Sequence, residues 1–360
     1  MRVVFSTGEA SGDAYAAALA RKLRDHHGFT DLKAAAGRRF AEVGELVADS
    51  SQWGAIGIAH SLAVVPKVFA ESRPLVQELK FGTPGTFVPI DFGYLNVKLA
   101  RAARDWGWKV VYFCPPGSWR RDRQGGDLPL ITDAIITQFD WSERLLRARG
   151  ANAHWFGHPL NEMVADVGNQ PTREVGRVAV LPGSRLHEIR HNLAAIGAAL
   201  ALLPGRIHAV DLVAAPTVDP VPLLKVWESV SNIPAEVSTN GAYVPLMRAE
   251  AGVICSGTAT LESAICGCPC VVVYRGSKWM EIEFTIRKPK FDYISLPNIL
   301  LDQPLLPELL QHDAHPERIA AEVIRLLDDP TAQLRGFADL DQLLGPNDAI
   351  TRSAKFIAGF

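Results

Sequence analysis

The sequence predicts an α/β protein made of two Rossmann-like halves, and three observations carry that reading. Short apolar runs alternate with longer stretches whose apolar residues recur at helical spacing, as in βαβ units with mostly parallel sheets. The opening pattern over residues 2–26, a strand, a glycine turn and a helix, restarts at Val178-Ala-Val-Leu181 followed by Pro182-Gly183-Ser184. The length of 360 residues is about 2.4 ordinary domains.

The elements follow in chain order. Arg2–Ser6 is a strand, Thr7–Asp13 a turn, and Ala14–His26 a helix. Further strands are expected at Thr86–Ile90, Lys109–Phe113, Ala134–Thr137, Val178–Leu181, Ala209–Ala214, Gly252–Cys255 and Cys270–Val273. Helices are expected at Leu95–Trp106, Trp141–Arg149, Arg190–Leu203, Thr260–Cys266, Pro316–Leu327, Ala332–Leu344 and Ala349–Ile357. Asn161–Arg177, with Gly168, Asn169 and Pro171, suits a linker. The expected division is 1–165, 166–330, and a helical tail over 331–360 able to pack back on the first half.

Composition narrows the function classes. With 48% hydrophobic and 21% charged residues, each half can bury its own core, which excludes disorder as the main state. A net charge of −2 argues against a general nucleic-acid binder. Ser50–Pro66 is too polar and Asn192–Gly205 too short to cross a bilayer. Met1-Arg2 leads directly into a strand, unlike a signal peptide. Five cysteines make no disulfide framework, which points to reduced thiols and the cytoplasm.

Three turns could hold a ligand. Gly8-Glu9-Ala10-Ser11-Gly12-Asp13 follows a strand and opens a helix, where free N–H groups and the helix dipole suit anions or sugar hydroxyls. The alternative is an ordinary helix start capped by Ser11 or Asp13. Leu181-Pro182-Gly183-Ser184-Arg185 adds a guanidinium fork suited to phosphate, with Glu188 one turn into the helix. Ser256-Gly257-Thr258-Ala259-Thr260-Leu261-Glu262 offers small hydroxyls for a diphosphate and a carboxylate for a ribose diol. For these two the alternatives are a capped helix with a solvated Arg, and a Ser/Thr capping box whose spacing fits poorly. Asp91 follows a strand end, as a general base or a helix cap would.

Other segments have plainer readings. His187-Glu188-Ile189-Arg190-His191 matches the H-E-x-x-H zinc motif, but it opens a helix, Arg190 intervenes, and no third ligand is evident. Cys266, Cys268 and Cys270 read as small buried side chains rather than metal ligands. Residues 56–79 mix Leu62, Val65, Val68 and Phe69 with Lys67 and Arg73. They form either core helices or an apolar surface for acyl chains or the bilayer edge.

Together these marks resemble lipid-A-disaccharide synthase. They are Gly8–Asp13, Pro89-Ile90-Asp91 with Asn96, Phe156-Gly-His-Pro-Leu160, Leu181–Arg185 with Glu188-Ile189, Ser256–Glu262, Val273-Tyr274-Arg275 and Asp292-Tyr-Ile-Ser-Leu-Pro-Asn298. The resemblance implies an inverting GT-B glycosyltransferase, two Rossmann-like domains facing across a cleft. It would join UDP-2,3-diacylglucosamine to 2,3-diacylglucosamine 1-phosphate, releasing UDP. Asp91 would be the base, with Gly8, Glu9, Ser11, Gly12, Asp13 and Asn96 on the acceptor side. Gly183, Ser184, Arg185, Glu188, Ser256, Gly257, Thr258, Thr260, Glu262 and Asn298 would hold UDP. No metal or other cofactor is implied. The implied partners are these acylated sugars, UDP and the inner face of the cytoplasmic membrane, with no nucleic acid; a homodimer is compatible.

The chain departs from the family pattern at five places, all in the N-terminal half. Ala34-Ala-Ala-Gly37 replaces G-I-G-G, and His60 replaces a Glu. Pro115-Pro-Gly-Ser-Trp119-Arg120-Arg121 replaces P-x-x-W-A-W. Gly93-Tyr94-Leu95-Asn96 replaces P-x-F-N, and Thr137-Gln138-Phe139-Asp140 replaces L-P-F-E.

Overall fold

The computed structural model describes residues 1–51, 53, 66–117, 126–168, 170–183, 186–255, 257–275 and 292–360, without the side chains of 94 and 186–188. It divides into two compact units, one of Met1–Met163 with Leu344–Phe360, the other of Val164–Leu343.

In the first unit the described residues form one parallel sheet. Its strands are β1 (Arg2–Ser6), β2 (Asp31–Ala36), β3 (Glu45–Asp49), β4 (Thr86–Pro89), β5 (Lys109–Phe113), β6 (Ala134–Thr137) and β7 (Ala153–Trp155). Their order is β3-β2-β1-β4-β5-β6-β7. Central strands such as Val3-Val4-Phe5 and Val110-Val111-Tyr112-Phe113 are fully buried, because helices cover both faces of a parallel sheet. Trp108, Phe87 and Tyr112 fill the core beside Leu99 and Ala103 of the helix Gly93–Asp105. The Trp108 indole N–H donates to Leu79 C=O at 2.7 Å, satisfying its one polar atom in that core.

The second unit repeats the design with β8 (Glu174–Leu181), β9 (Ala209–Val213), β10 (Ala235–Ser238), β11 (Ala249–Ile254), β12 (Cys270–Tyr274) and β13 (Glu308–Leu310). The order is β10-β9-β8-β11-β12-β13, again parallel. Each sheet therefore reverses its strand order once, between β1 and β4 and between β8 and β11. Open parallel sheets bind ligands at such switch points, beyond the carboxyl ends of the strands.

Two boundaries differ from the sequence reading. The expected linker at Asn161–Arg177 begins inside a helix, Pro159–Ala165, and ends inside β8, while Gly168 and Pro171 lie in the short span between them. The expected tail divides: most of the helix Thr331–Leu344 stays with the second unit, and the chain rejoins the first at Leu344. There the helix Ala349–Ala358 packs on the helix Ala10–His27. His158 N–H donates to Leu344 C=O (2.7 Å), and Asn161 Nδ2 donates to Gly345 C=O (3.1 Å). Buried Glu162 accepts from Thr351 N–H (2.9 Å) and from the Thr351 hydroxyl, and pairs with Lys22 (3.0 Å). Burial pushes this carboxyl up, but the Thr351 and Lys22 bonds outweigh it and hold it below the ordinary range.

Candidate active site

At the first switch point, Ser6 pairs with Pro89, so β1 and β4 end level. The turn after β1 and Asp91 after β4 then meet in a concavity lined by Gly8, Glu9, Ser11, Gly12, Ile90, Asp91 and Phe92. The helix Ala10–His27 starts there with Glu9 in extended backbone at its cap position and no side-chain cap bond. The capping alternative for Ser11 and Asp13 is therefore not what the turn adopts. Gly8 has a steric reason: a Cβ there would fall 2.2 Å from the ring of Phe92.

Asp91 and Phe92 both take positive φ, 45° each. Non-glycine residues in that region cost about 1–3 kcal/mol and collect at functional sites. Half-buried Asp91 has its carboxyl raised from an ordinary 3.8 to about 6 by burial first and by the charge of Glu9 second, opposed by the Phe92 N–H. A carboxylate tuned upward in this way is a stronger base near neutral pH.

Asn96 and Asp13 support the site without lining it. Asn96 is buried; its Nδ2 reaches the carbonyls of Ser6 (3.1 Å), Ile90 (3.0 Å) and Asp91 (3.1 Å), and its Oδ1 accepts from Ser6 Oγ (2.6 Å). The Asp13 carboxylate accepts from the N–H groups of Gly37 (2.9 Å), Arg39 (3.0 Å) and Phe40 (3.0 Å), so it anchors the short helix Arg38–Ala41. A Cβ at Gly37 would fall 2.8 Å from that carboxylate, which explains the single glycine kept in Ala34-Ala-Ala-Gly37.

At the second switch point, Leu181 pairs with Ile254. Gly183 follows β8 with φ 107° and Gly257 follows β11 with φ 127°, conformations that favour glycine. Gly257 is the cap position of the helix Thr258–Ile265, which has no side-chain cap bond; Thr258 and Glu262 are half-buried on its first turns. Such a helix start presents open N–H groups to an anion. Ser184, Arg185 and Ser256 lie outside the described residues, as does the side chain of Glu188.

Thr260 and Asn298 are buried and act as struts. Thr260 Oγ1 donates to Gly257 C=O (2.9 Å) and accepts from Leu296 N–H (3.3 Å). Asn298 Nδ2 donates to Leu306 C=O (2.9 Å) and to Glu308 (2.9 Å), while its Oδ1 accepts from Leu306 N–H (2.7 Å). These bonds fix the shape of the turns.

Three residues with structural parts here went unread in the sequence. Glu308 accepts from Ile294 N–H (2.9 Å) and Ser295 N–H (2.8 Å) beside Asn298. Buried Asn192 joins three strand ends: its Nδ2 donates to Pro182 C=O (3.1 Å) and to Cys255 Sγ (2.9 Å), and its Oδ1 accepts from Arg275 N–H (2.9 Å). Tyr112 donates its hydroxyl to Asp91 C=O at 2.8 Å. An Asn in a helix interior was the one readable signal, since it must find partners when buried.

Other marks resolve into structure. In Phe156-Gly-His-Pro-Leu160, Gly157 (φ 110°) runs against Pro346, where a Cβ would fall 2.3 Å from its C=O. That motif is thus where the returning tail docks. His158 is buried and its pKa is driven down to about 3 by desolvation, so it stays neutral and its Nδ1 accepts from Leu160 N–H (3.2 Å). All five cysteines are buried; burial pushes Cys268 up to about 11 and Cys270 up to about 12. The side chains of His187 and Glu188 lie outside the described ones, and among the described residues no group of three His, Cys, Asp or Glu is placed to hold a metal.

Comparison with known proteins gives this arrangement a family. The family model described as lipid-A-disaccharide synthetase matches residues 3–343. The lipid-A-disaccharide synthase of Prochlorococcus marinus is 31% identical, covering 99% of this chain and 98% of its own. That of Geobacter sulfurreducens is 29% identical, covering 99% and 96%. The solved structure of the spinosyn rhamnosyltransferase SpnG with thymidine diphosphate matches with a TM-score of 0.64 at 13% identity, covering 99% of this chain and 100% of that one, a likeness of GT-B fold. The chain belongs to the lipid-A-disaccharide synthase family and is a glycosyltransferase.

Proposed function

We propose that this enzyme joins UDP-2,3-diacylglucosamine to 2,3-diacylglucosamine 1-phosphate, giving the β-1,6-linked disaccharide 1-phosphate and UDP. The observation that carries the chemistry is the carboxylate of Asp91, strained and desolvated at the β1/β4 switch point of a family member. Asp91 takes the proton of the acceptor 6-hydroxyl as that oxygen attacks the anomeric carbon. The carbon–oxygen bond to UDP breaks on the opposite face, so the centre inverts. Gly8, Glu9, Ser11 and Gly12 line the acceptor side, and Asp13 and Asn96 hold that turn in shape.

UDP is held by Gly183, Ser184, Arg185 and Glu188 after β8 and by Ser256, Gly257, Thr258 and Glu262 after β11, with Thr260 and Asn298 bracing them. The guanidinium of Arg185 and the two helix N-termini meet the charge that grows on the leaving diphosphate, which supplies the stabilisation without calling for a metal. The acylated substrates come from a lipid surface, so we place the enzyme on the inner face of the cytoplasmic membrane. No helix among the described residues is long and apolar enough to cross a membrane.

The test is product analysis with the two acylated sugars. Disaccharide 1-phosphate formed with stoichiometric UDP supports the reading; UDP release without disaccharide would point to a different acceptor, the alternative favoured by the acceptor-side departures such as Gly93-Tyr94-Leu95-Asn96. Asp91→Asn should lower turnover about a hundredfold or more while leaving UDP affinity within about twofold.

A further inference from the structure

We propose that Tyr112 is a positioning residue for Asp91, holding the proposed base in its working backbone conformation through the hydrogen bond from the phenol to the Asp91 carbonyl. The proposal rests on the reading of Asp91 as the base. Tyr112 lies on β5, one strand away, and its ring is fully buried in the apolar core with Phe87, Val110 and Leu99. A phenol is a costly choice for such a place unless its hydroxyl finds a partner. Here that partner is the carbonyl of Asp91, at 2.8 Å.

That carbonyl belongs to the first of two successive non-glycine residues with φ of 45°. Such a pair persists only where its surroundings over-determine it. Three restraints do so. Asp91 N–H donates to Phe113 C=O (3.2 Å), which fixes the amide side of the residue. Tyr112 and Asn96 converge on the carbonyl side, at 2.8 and 3.1 Å. Asn96 shares its amide among three carbonyls and so holds the strand ends together; Tyr112 bonds the Asp91 carbonyl alone among them. Loss of the phenol frees the peptide that aims the carboxylate while leaving the ring, the core and the donor unit intact.

Tyr112→Phe tests this directly, with Asp91→Asn assayed in parallel. The expected result is a kcat reduced about tenfold or more, with acceptor KM within about twofold and an unchanged melting temperature, since small misplacements of a reacting group act on turnover. Para-aminophenylalanine in place of Tyr112 restores a donor and should recover kcat. It also serves if the phenylalanine variant folds poorly. An unchanged kcat in Tyr112→Phe, alongside an inactive Asp91→Asn, overturns the positioning role and leaves the base standing. A kcat loss that merely tracks the folded fraction, without rescue by the amine, overturns it as well. An active Asp91→Asn removes the base reading and the proposal with it.

Discussion

Asp91 combines two penalties, a left-handed backbone and an ionisable group in a desolvated place. Both lower stability; the desolvation also raises the basicity of the carboxylate. Its pKa in the folded chain lies above the unfolded value, so the protonated form is favoured by folding. The stability associated with that proton is present below pH 4 and is lost as pH rises through about 6. Asp91→Asn should therefore raise the melting temperature at pH 8, where the wild type must keep a desolvated charge, and change it little at pH 4; equal melting at pH 8 would argue against the desolvation. With Asp91 as the proposed base, catalysis runs the other way, because a base works only when ionised. Turnover should fall on the acid side with a midpoint near pH 6, measured as a kcat–pH profile, and that limb should be absent from UDP binding.

At the scale of elements, paired parallel strands ending level create both candidate sites, and buried amides lock the ends together. Asn96 does this in the first unit and Asn192 in the second. Asn192→Ala would strand the Arg275 N–H and the Pro182 carbonyl in a buried place. Its expected cost is about 2–4 kcal/mol in denaturant unfolding, with weaker UDP binding by calorimetry because the Gly183 turn loses its anchor. The central strands and most helices were legible, since uninterrupted β-branched runs such as Val271-Val272-Val273 and strong helical periodicity leave little choice. Strands β2, β3, β7, β10 and β13 were not. β2 ends in three alanines, which favour helix locally; β3 and β10 are edge strands; β7 and β13 have three residues each. Their strand state comes from pairing with a neighbour, which local sequence does not encode.

At the scale of the whole molecule, the chain leaves the first unit at Met163 and comes back at Leu344 to cover its first helix. Removing residues 344–360 would expose the partners of Ile350, Ala354 and Ile357 and leave Glu162 with Lys22 but without its Thr351 bonds. The truncated protein should melt several degrees lower, consistent with a loss of about 3–5 kcal/mol, and Glu162→Gln in the full chain should cost a smaller share. The first unit also presents half-exposed Phe69, with the Lys98 ammonium 5.3 Å from its ring centroid, next to Lys67. Leu62 and Val65, grouped with it in the sequence, lie outside the described residues. Changing Leu62, Val65 and Phe69 together to Ser should weaken liposome sedimentation without altering melting; equal sedimentation would remove this segment from membrane binding.

The sequence by itself determined the class of the fold and the family, and it placed the glycine turns and Asp91 after strand ends, because each is written locally: an apolar period, a glycine after a strand, an ordered set of short motifs. Only the tertiary structure decided which polar residues face the concavity and which brace it. Asp13, Asn96, Thr260 and Asn298 read as site residues, yet they satisfy buried backbone groups brought near by the fold. Tyr112, Asn192 and Glu308 went unread, yet their hydrogen bonds brace the turns. A buried polar side chain takes its role from its hydrogen-bond partner, and that partner lies 21 residues away for Tyr112 and 90 for the Ser6–Asn96 pair, beyond what a local pattern can see.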